Sequence, residues 1–359
     1  MKIVTVVGAR PQFIKAAVVS HELRKRHHEV LIHTGQHFDY NMSEQFFKEL
    51  NIPNPEYNLG ISGGTHAQMT GRMMIAIEEV LIKEKPDWVL VYGDTNSTIA
   101  AALSAVKLHI PVCHVEAGAR VHSMKNPEEI NRICTDHVSS LLLVSTKSGL
   151  DNLMNEGLGE KGFLVGDPMF DAFCEYSRLK NIAELELDLL SGEKVHVPQR
   201  YYYLTCHREE NTNSDRELNE IFKAMNRLDA KTVYPVHPRN KKRAARLKSE
   251  YGYENILLTE PVGYLDSLCL VTNAQKIVTD SGGLQREAFF AKKKCVTVLD
   301  FVVWPETMVD GRNTLAKPSE DDIINKLQID QVIDESYQPF GDGHAAVKIC
   351  ESMERFLQN

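Results

Sequence analysis

Three carboxylates stand where an α/β chain places its reactive side chains. Asp94 follows the apolar run 88–92 in Tyr92-Gly93-Asp94-Thr95, Glu116 ends the apolar run 111–115, and Glu128 opens a helix in Asn126-Pro127-Glu128-Glu129. Asn126 suits the N-cap, and Pro127 suits the first helical position, where a missing N–H costs nothing. Acids at the C-terminal ends of parallel strands and at a helix N-terminus point toward the crevice where open α/β sheets bind ligands. Held near one another they resist simultaneous ionisation, so one is expected to act as an acid while another stays a base. That is equipment for taking a proton from an unactivated carbon. Each could instead be a simple helix cap, Asp94 before the helix 96–108 above all. Glu129 is expected to turn to solvent, and Arg132 to pair with Glu128 one helical turn earlier.

The second kind of chemistry in the chain is an anion grip. Gly8-Ala9-Arg10-Pro11 joins the first strand to a helix, so backbone N–H groups and the Arg10 guanidinium can face an anion, although the turn is not GxGxxG. Thr279-Asp280-Ser281-Gly282-Gly283 lies between another strand and helix, with Glu287 one turn inside. Small residues there admit a diphosphate to the backbone, Ser281 adds a hydroxyl, and Glu287 can accept from ribose hydroxyls. The alternative is a glycine turn kept for packing. His207-Arg208 and His237-Pro238-Arg239 close two strands of the same half and match a diphosphate clamp. Metal binding is the rival. HExxH is absent, and His114, His207 and His237 lack a second ligand at i+3 to i+5, so neither a metal nor a cofactor is expected.

The elements that must position these residues alternate almost without a break. Strands are expected at 2–7, 29–33, 88–92, 111–116, 141–144 and 163–165, with helices at 11–26, 41–50, 67–84, 96–108, from 127, and after Ser148. A charged helical stretch without strands, 171–194, follows Gly166-Asp167-Pro168, where we expect the domain joint. The alternation then resumes with strands 201–206, 232–236, 256–258, 276–279 and 295–299 and the helices between them. Strands separated by helical stretches mean doubly wound parallel sheets. The expected division is residues 1–167 with the C-terminal helix 344–359, and residues 168–343, with the site in the cleft between.

Composition narrows the class. The 359 residues are 43% hydrophobic and 25% charged, enough for two cores. A formal net charge of -8 with scattered Lys and Arg argues against nucleic acid or an anionic membrane as the main partner. The 7 cysteines form no CxxC pair and mostly lie in apolar runs, reading as buried thiols of a reducing compartment. No apolar run approaches the length of a membrane span, and a cytoplasmic protein is expected.

Taken together the motifs resemble the non-hydrolysing UDP-N-acetylglucosamine 2-epimerases. The likeness runs nearly end to end, through Gly8-Ala9-Arg10-Pro11-Gln12-Phe13-Ile14-Lys15, Thr34-Gly35-Gln36-His37, Gly93-Asp94-Thr95, His114-Val115-Glu116-Ala117-Gly118, Pro127-Glu128-Glu129-Ile130-Asn131-Arg132, His207-Arg208, Asp280-Ser281-Gly282-Gly283-Leu284-Gln285 and Pro305-Glu306. It implies a GT-B-like pair of Rossmann-type domains and inversion at C2 of a UDP-sugar, by anti elimination of UDP to a 2-acetamidoglucal and syn re-addition. By residue matching, Asp94, Glu116, Glu128 and His207 are the catalytic residues. Arg10, Lys15, His37, Arg132, Arg208 and His237 join Ser281, Gly282, Gly283 and Glu287 in holding substrate, with Tyr264 against the uracil. The resemblance also implies a homodimer that supplies surface polysaccharide precursors.

Departures from the family pattern are informative. Gln12 stands where the family usually has Glu, and Ala119 where it has Leu. The segment 298–306 lacks the Arg usual at Leu299 and the Glu-Arg usual at Val303-Trp304. The opening motif and Gly63-Gly64-Thr65-His66 are closer to the branch acting on UDP-2,3-diacetamido sugar acids, an alternative substrate. A hydrolysing epimerase, a GT-B glycosyltransferase and a non-enzymatic sugar-nucleotide binder are the competing readings.

Overall fold

The computed structural model describes residues 1–36 and 46–356. It divides into two compact units, residues 1–172 with 338–359, and residues 173–337.

In the first unit, strands β1 (Lys2–Val7), β2 (His28–His33), β3 (Tyr57–Asn58), β4 (Trp88–Tyr92), β5 (Val112–Ala117), β6 (Leu141–Val144) and β7 (Gly162–Leu164) form one sheet in the order β3-β2-β1-β4-β5-β6-β7. All pairings are parallel; Val4 of β1, for example, lies between Val30 of β2 and Val89 of β4. Helices cover both faces of such a sheet, which is why β4 and β6 read as unbroken apolar runs and β1 as one interrupted only by Thr5. One face packs Val4, Val6, Val30, Ile32, Val89 and Val91 against Met73 and Ile77 of helix α2 (His66–Glu84) and against the alanines of α3 (Asn96–Lys107). Helix α1 (Arg10–Leu23) follows β1, α4 (Pro127–Val138) follows β5, and α5 (Lys147–Asn155) follows β6. The boundary between the units falls within α6 (Pro168–Tyr176).

The second unit repeats the plan. Between α6 and its main sheet lies a hairpin of β8 (Glu186–Asp188) and β9 (Lys194–His196). Strands β10 (Tyr201–Thr205), β11 (Lys231–Pro235), β12 (Ile256–Thr259), β13 (Lys276–Thr279), β14 (Lys294–Thr297) and β15 (Asn313–Leu315) are ordered β12-β11-β10-β13-β14-β15. The helices are the short α7 (Glu209–Thr212), α8 (Asp215–Asn226), α9 (Lys241–Tyr251), α10 (Tyr264–Asn273), α11 (Gly282–Phe290) and α12 (Glu320–Gln328). The last helix, α13 (Ala345–Phe356), belongs to the first unit, where Phe356 meets Trp88 edge-on at 5.0 Å between ring centroids.

The hairpin corrects the expectation of a strandless helical stretch at 171–194. Leu185, Leu187 and Leu189 alternate with charged residues, the period of a strand, and Leu187 is buried in the core. The chain reverses at Gly192, whose φ of +89° suits glycine and whose N–H bonds to the Leu189 carbonyl at 2.9 Å. In both main sheets the strand order reverses direction of travel beside the first strand, between β1 and β4 and between β10 and β13. Ligands of doubly wound sheets bind beyond the carboxyl ends of strands at that switch. The turns after these four strands hold Arg10, Asp94, His207 and Ser281.

Candidate active site

In the first unit the turns after β1 and β4 are tied by Gln12. Its Oε1 accepts from the Gly8 and Ala9 N–H groups at 2.8 and 3.0 Å, and its Nε2 donates to the Tyr92 carbonyl at 2.8 Å and to the Thr95 and Thr98 hydroxyls, each at 3.0 Å. A carboxylate, which only accepts, could not bond the Tyr92 carbonyl. Gly8 is confined as well: a Cβ there would lie 2.2 Å from both Ser97 Oγ and Thr34 Oγ1. Arg10, the first residue of α1, stacks its guanidinium over the Phe46 ring at 5.3 Å.

The acids meet cations. Lys15, buried on α1, pairs with Glu116 at 2.5 Å, and Arg132 of α4 pairs with Asp94. Glu116 has a φ of +70°, and the β5–β6 register shifts between Val115 and Ala117 at this residue. A non-glycine residue in the left-handed region at a bulge costs of order 1–3 kcal/mol, strain that concentrates at functional sites. Gly93, at φ +62°, brings the preceding turn against the pair: a Cβ on it would sit 3.4 Å from Glu116 Oε1 and 3.6 Å from Lys15 Nζ. Burial disfavours charge on Arg132, yet Asp94, Glu116 and Glu129 together raise its pKa above the ordinary value. Asp94 and Glu129 contact this guanidinium, and Glu116, paired with Lys15, adds its charge at longer range.

Two expectations about α4 are corrected. Glu129 is buried, accepts from the Val121 and His122 N–H groups at 3.0 and 2.7 Å, and pairs with Arg132 at 3.2 Å. Arg132 pairs with Glu129 and Asp94, with no Glu128 pairing among the described ion pairs. Glu128 is exposed, its N–H bonded to Asn126 Oδ1 at 3.0 Å. The loop 119–122 decides the matter, because its N–H groups need an acceptor and Glu129 is on the face that supplies one.

In the second unit Asp280, after β13, is the organising residue. It is fully buried and accepts from the His207 and Arg208 N–H groups at 2.9 and 2.8 Å, from Asn211 at 3.3 Å, and from His207 Nδ1 at 2.9 Å. Burial alone would raise its pKa, but His207 and these N–H groups hold it at about 2. With Nδ1 committed to Asp280, the half-exposed His207 ring presents Nε2 outward. Arg208 is planted between the Asp280 carbonyl, 3.0 Å from its Nε, and the Phe301 ring at 5.1 Å. Arg239, two residues beyond His237, donates to the His207 carbonyl at 2.6 Å and so links the two strand ends; His237 itself is exposed.

Ser281 caps α11, its hydroxyl accepting from the Leu284 N–H at 3.3 Å, which puts Gly282 and Gly283 where helix N–H groups have no intrahelical acceptor. Glu287, one turn on, is fully buried. Desolvation pushes its pKa up to about 7, only partly offset by a hydrogen bond from Tyr264 and the Arg286 charge. Tyr264 is buried against it, and Arg286 stacks on Trp304 at 4.1 Å. Trp304, where the family usually has Arg, thus seats an arginine rather than replacing one. His37 lies outside the described residues. Among the described residues no group of His, Cys, Asp and Glu could hold a metal ion, and no helix is long and apolar enough to cross a membrane.

Sequence reasoning gave no role to Gln12, Glu129, Asn131 or the buried His114–Asp136 pair. Gln12 carried a signal as a departure from the family pattern, and His114, Glu129 and Asn131 only as members of shared motifs.

Two Rossmann-type units with this strand order, each with polar residues gathered at its switch point, make this a GT-B-like α/β protein. Known proteins narrow the class. A model of the UDP-N-acetylglucosamine 2-epimerase family matches residues 21–354, and the chain belongs to that family of isomerases. A UDP-N-acetylglucosamine 2-epimerase homolog of Methanococcus maripaludis is 46% identical over 98% of this chain and 99% of its own. The UDP-2,3-diacetamido-2,3-dideoxy-D-glucuronate 2-epimerase of Pseudomonas aeruginosa is 44% identical over 99% and 100%. The crystal structure of Methanocaldococcus jannaschii UDP-GlcNAc 2-epimerase in complex with UDP-GlcNAc and UDP is similar at a TM-score of 0.86 and 38% identity, covering 100% of this chain and 99% of that one.

Proposed function

We propose that the protein interconverts UDP-N-acetylglucosamine and UDP-N-acetylmannosamine without hydrolysing either. A carboxylate of the set Asp94, Glu116 and Glu128 takes the C2 proton. The C1–O bond breaks with its electron pair leaving on UDP, and a 2-acetamidoglucal remains. UDP oxygen then adds back at C1 while a proton is delivered to C2 on the opposite face. Because the C2 proton is not acidic, the elimination leans on a positioned base and on stabilising UDP as it departs. His207, Arg208, Arg10 and His237 are assigned to that second task, with the Ser281-Gly282-Gly283 helix start on phosphate, Glu287 on ribose and Tyr264 beside uracil. Lys15 and Arg132 serve as the acids' partners.

The observation that carries this reading is the convergence of Asp94 and Glu116 on Arg132 and Lys15 at the switch point of the first sheet. Binding an anion would not call for such a cluster. Proton NMR of UDP-N-acetylglucosamine turned over in deuterium oxide is expected to show the manno isomer with deuterium at C2. Free sugar accumulating with UDP would reject the non-hydrolysing reaction, and retention of the original hydrogen would reject exchange through a protein base.

A second substrate has support of its own. The Pseudomonas aeruginosa relative acts by name on a UDP-2,3-diacetamido sugar acid and is as similar as the family's UDP-N-acetylglucosamine enzymes. The same NMR experiment with both substrates separates the two. With either substrate, the reading includes a cytoplasmic homodimer supplying surface polysaccharide; sedimentation equilibrium tests the dimer.

A further inference from the structure

Three successive carbonyls of the turn that carries Asp94 are each held by a side chain from a different element. Gln12 Nε2 of α1 donates to the Tyr92 carbonyl at 2.8 Å, His114 Nε2 of β5 to the Gly93 carbonyl at 2.7 Å, and Asn131 Nδ2 of α4 to the Asp94 carbonyl at 2.9 Å. A turn that merely ended a strand would not need this; water commonly satisfies such groups. The middle donor has a second commitment. His114 is fully buried, and its Nδ1 lies 2.6 Å from Asp136 Oδ1.

Asp136 is the acceptor in that contact. Its other oxygen pairs with the Arg120 guanidinium at 2.8 Å and accepts from the Gly118 N–H at 3.1 Å, and a fixed positive charge on one oxygen keeps the carboxyl ionised on both. Burial opposes its ionisation, but His114 and Arg120 hold its pKa below the ordinary carboxylate value. The Gly93 carbonyl has no proton to give either, so both ring nitrogens of His114 face acceptors and both must carry hydrogen. Nearby charged groups have partners of their own: Arg120 also pairs with Glu156 at 2.8 Å, and Glu116, further along β5, pairs with Lys15. Its ladder partners, Val91 of β4 and Leu142 of β6, bring no charge.

We propose that His114, doubly protonated and anchored by Asp136 and Arg120, is a positioning residue that clamps the Gly93 carbonyl and thereby aims the Asp94 carboxylate. The Gly93 carbonyl and the Asp94 Cα share one rigid peptide plane, so the clamp sets the direction in which the Asp94 side chain leaves the backbone. This rests on the reading of Asp94 as a reacting acid given above.

Two conservative variants split the two bonds. His114→Gln keeps an amide donor near the Nε2 position, facing Gly93, and gives up the bond to Asp136; His114→Asn does the reverse. With folding checked by thermal melting, kcat of H114N is expected to fall about tenfold or more below that of H114Q, the scale set by small misplacements of a reacting group, with KM alike in the two. Equal losses in kcat would reduce His114 to a structural residue and overturn the proposal. Nitrogen-15 NMR of the wild-type ring decides the matter if the variants do not fold. Both His114 nitrogens are expected to carry hydrogen, as their two acceptors require; one bare nitrogen would overturn the clamp as drawn. Absence of epimerisation by the wild-type protein would instead sink the proposed function, and the ring spectrum would still judge the hydrogen bonding.

Discussion

Glu287 offers a quantitative test of the ribose contact proposed for α11. Burial raises its pKa from 4.5 to about 7 in the folded protein. Between those values the native state keeps a proton that the unfolded chain has released, so folding binds protons and stability falls as pH rises through the window. The contribution is fully present below about pH 4.5 and lost above about pH 7, and a shift of that size corresponds to about 3 kcal/mol. Glu287→Gln removes the titration while keeping the shape and an acceptor for the Tyr264 hydroxyl. Urea unfolding of both proteins at about pH 5 and about pH 8 isolates the effect, because the other groups titrate alike in both. E287Q is expected to gain about 2.5 kcal/mol relative to wild type between the two pH values, since part of the effect already lies below about pH 5. A stability difference that does not change with pH would refute the assignment of the strain to a desolvated carboxyl. UDP affinity supplies the functional side: E287Q is expected to bind UDP more weakly at about pH 8, where the carboxylate would accept from ribose hydroxyls.

Other substitutions probe the acid cluster and the turn organised by Asp280. Lys15→Met leaves Glu116 without its 2.5 Å partner and is expected to cost about 3–5 kcal/mol in chemical unfolding; a cost near zero would mean water replaces the lysine. Glu129→Gln weakens the Arg132 pair and is expected to lower stability by about 2 kcal/mol, whereas Glu128→Gln should leave the melting temperature unchanged and cut turnover. The reverse pattern would restore the assignment of Glu129 to solvent. Asp280→Asn is expected to remove about 2 kcal/mol of stability that wild type has above about pH 4 and loses as pH falls toward about 2, read by acid titration of unfolding. An unchanged acid midpoint would mean that the His207 and Arg208 N–H groups contribute little.

The strands buried on both faces were legible because β4 and β6 leave no polar position for an alternative reading, and β1 carries only Thr5 inside its apolar run. The hairpin of β8 and β9 was not, since Glu, Leu and Asp are ordinary helix-surface residues and only the two-residue period distinguishes them. β15 is three residues long and owes its existence to pairing with β14, a contact no local pattern announces. At the site, motif residues such as Asp94 and Ser281 were identified by type and place in the chain. The choice between the neighbours Glu128 and Glu129 depended instead on which face of α4 met the N–H groups of a distant loop. His114 looked like one polar residue in an apolar strand, because the aspartate that explains it lies 22 positions further on. Gln12 announced itself only by differing from relatives.

That glutamine has a mechanical consequence. One neutral side chain fastens the loop bearing Arg10 to the loop bearing Asp94, so neither can drift without dragging the other. The region behaves as a single plate: whatever presses on the Arg10 loop is felt at Asp94.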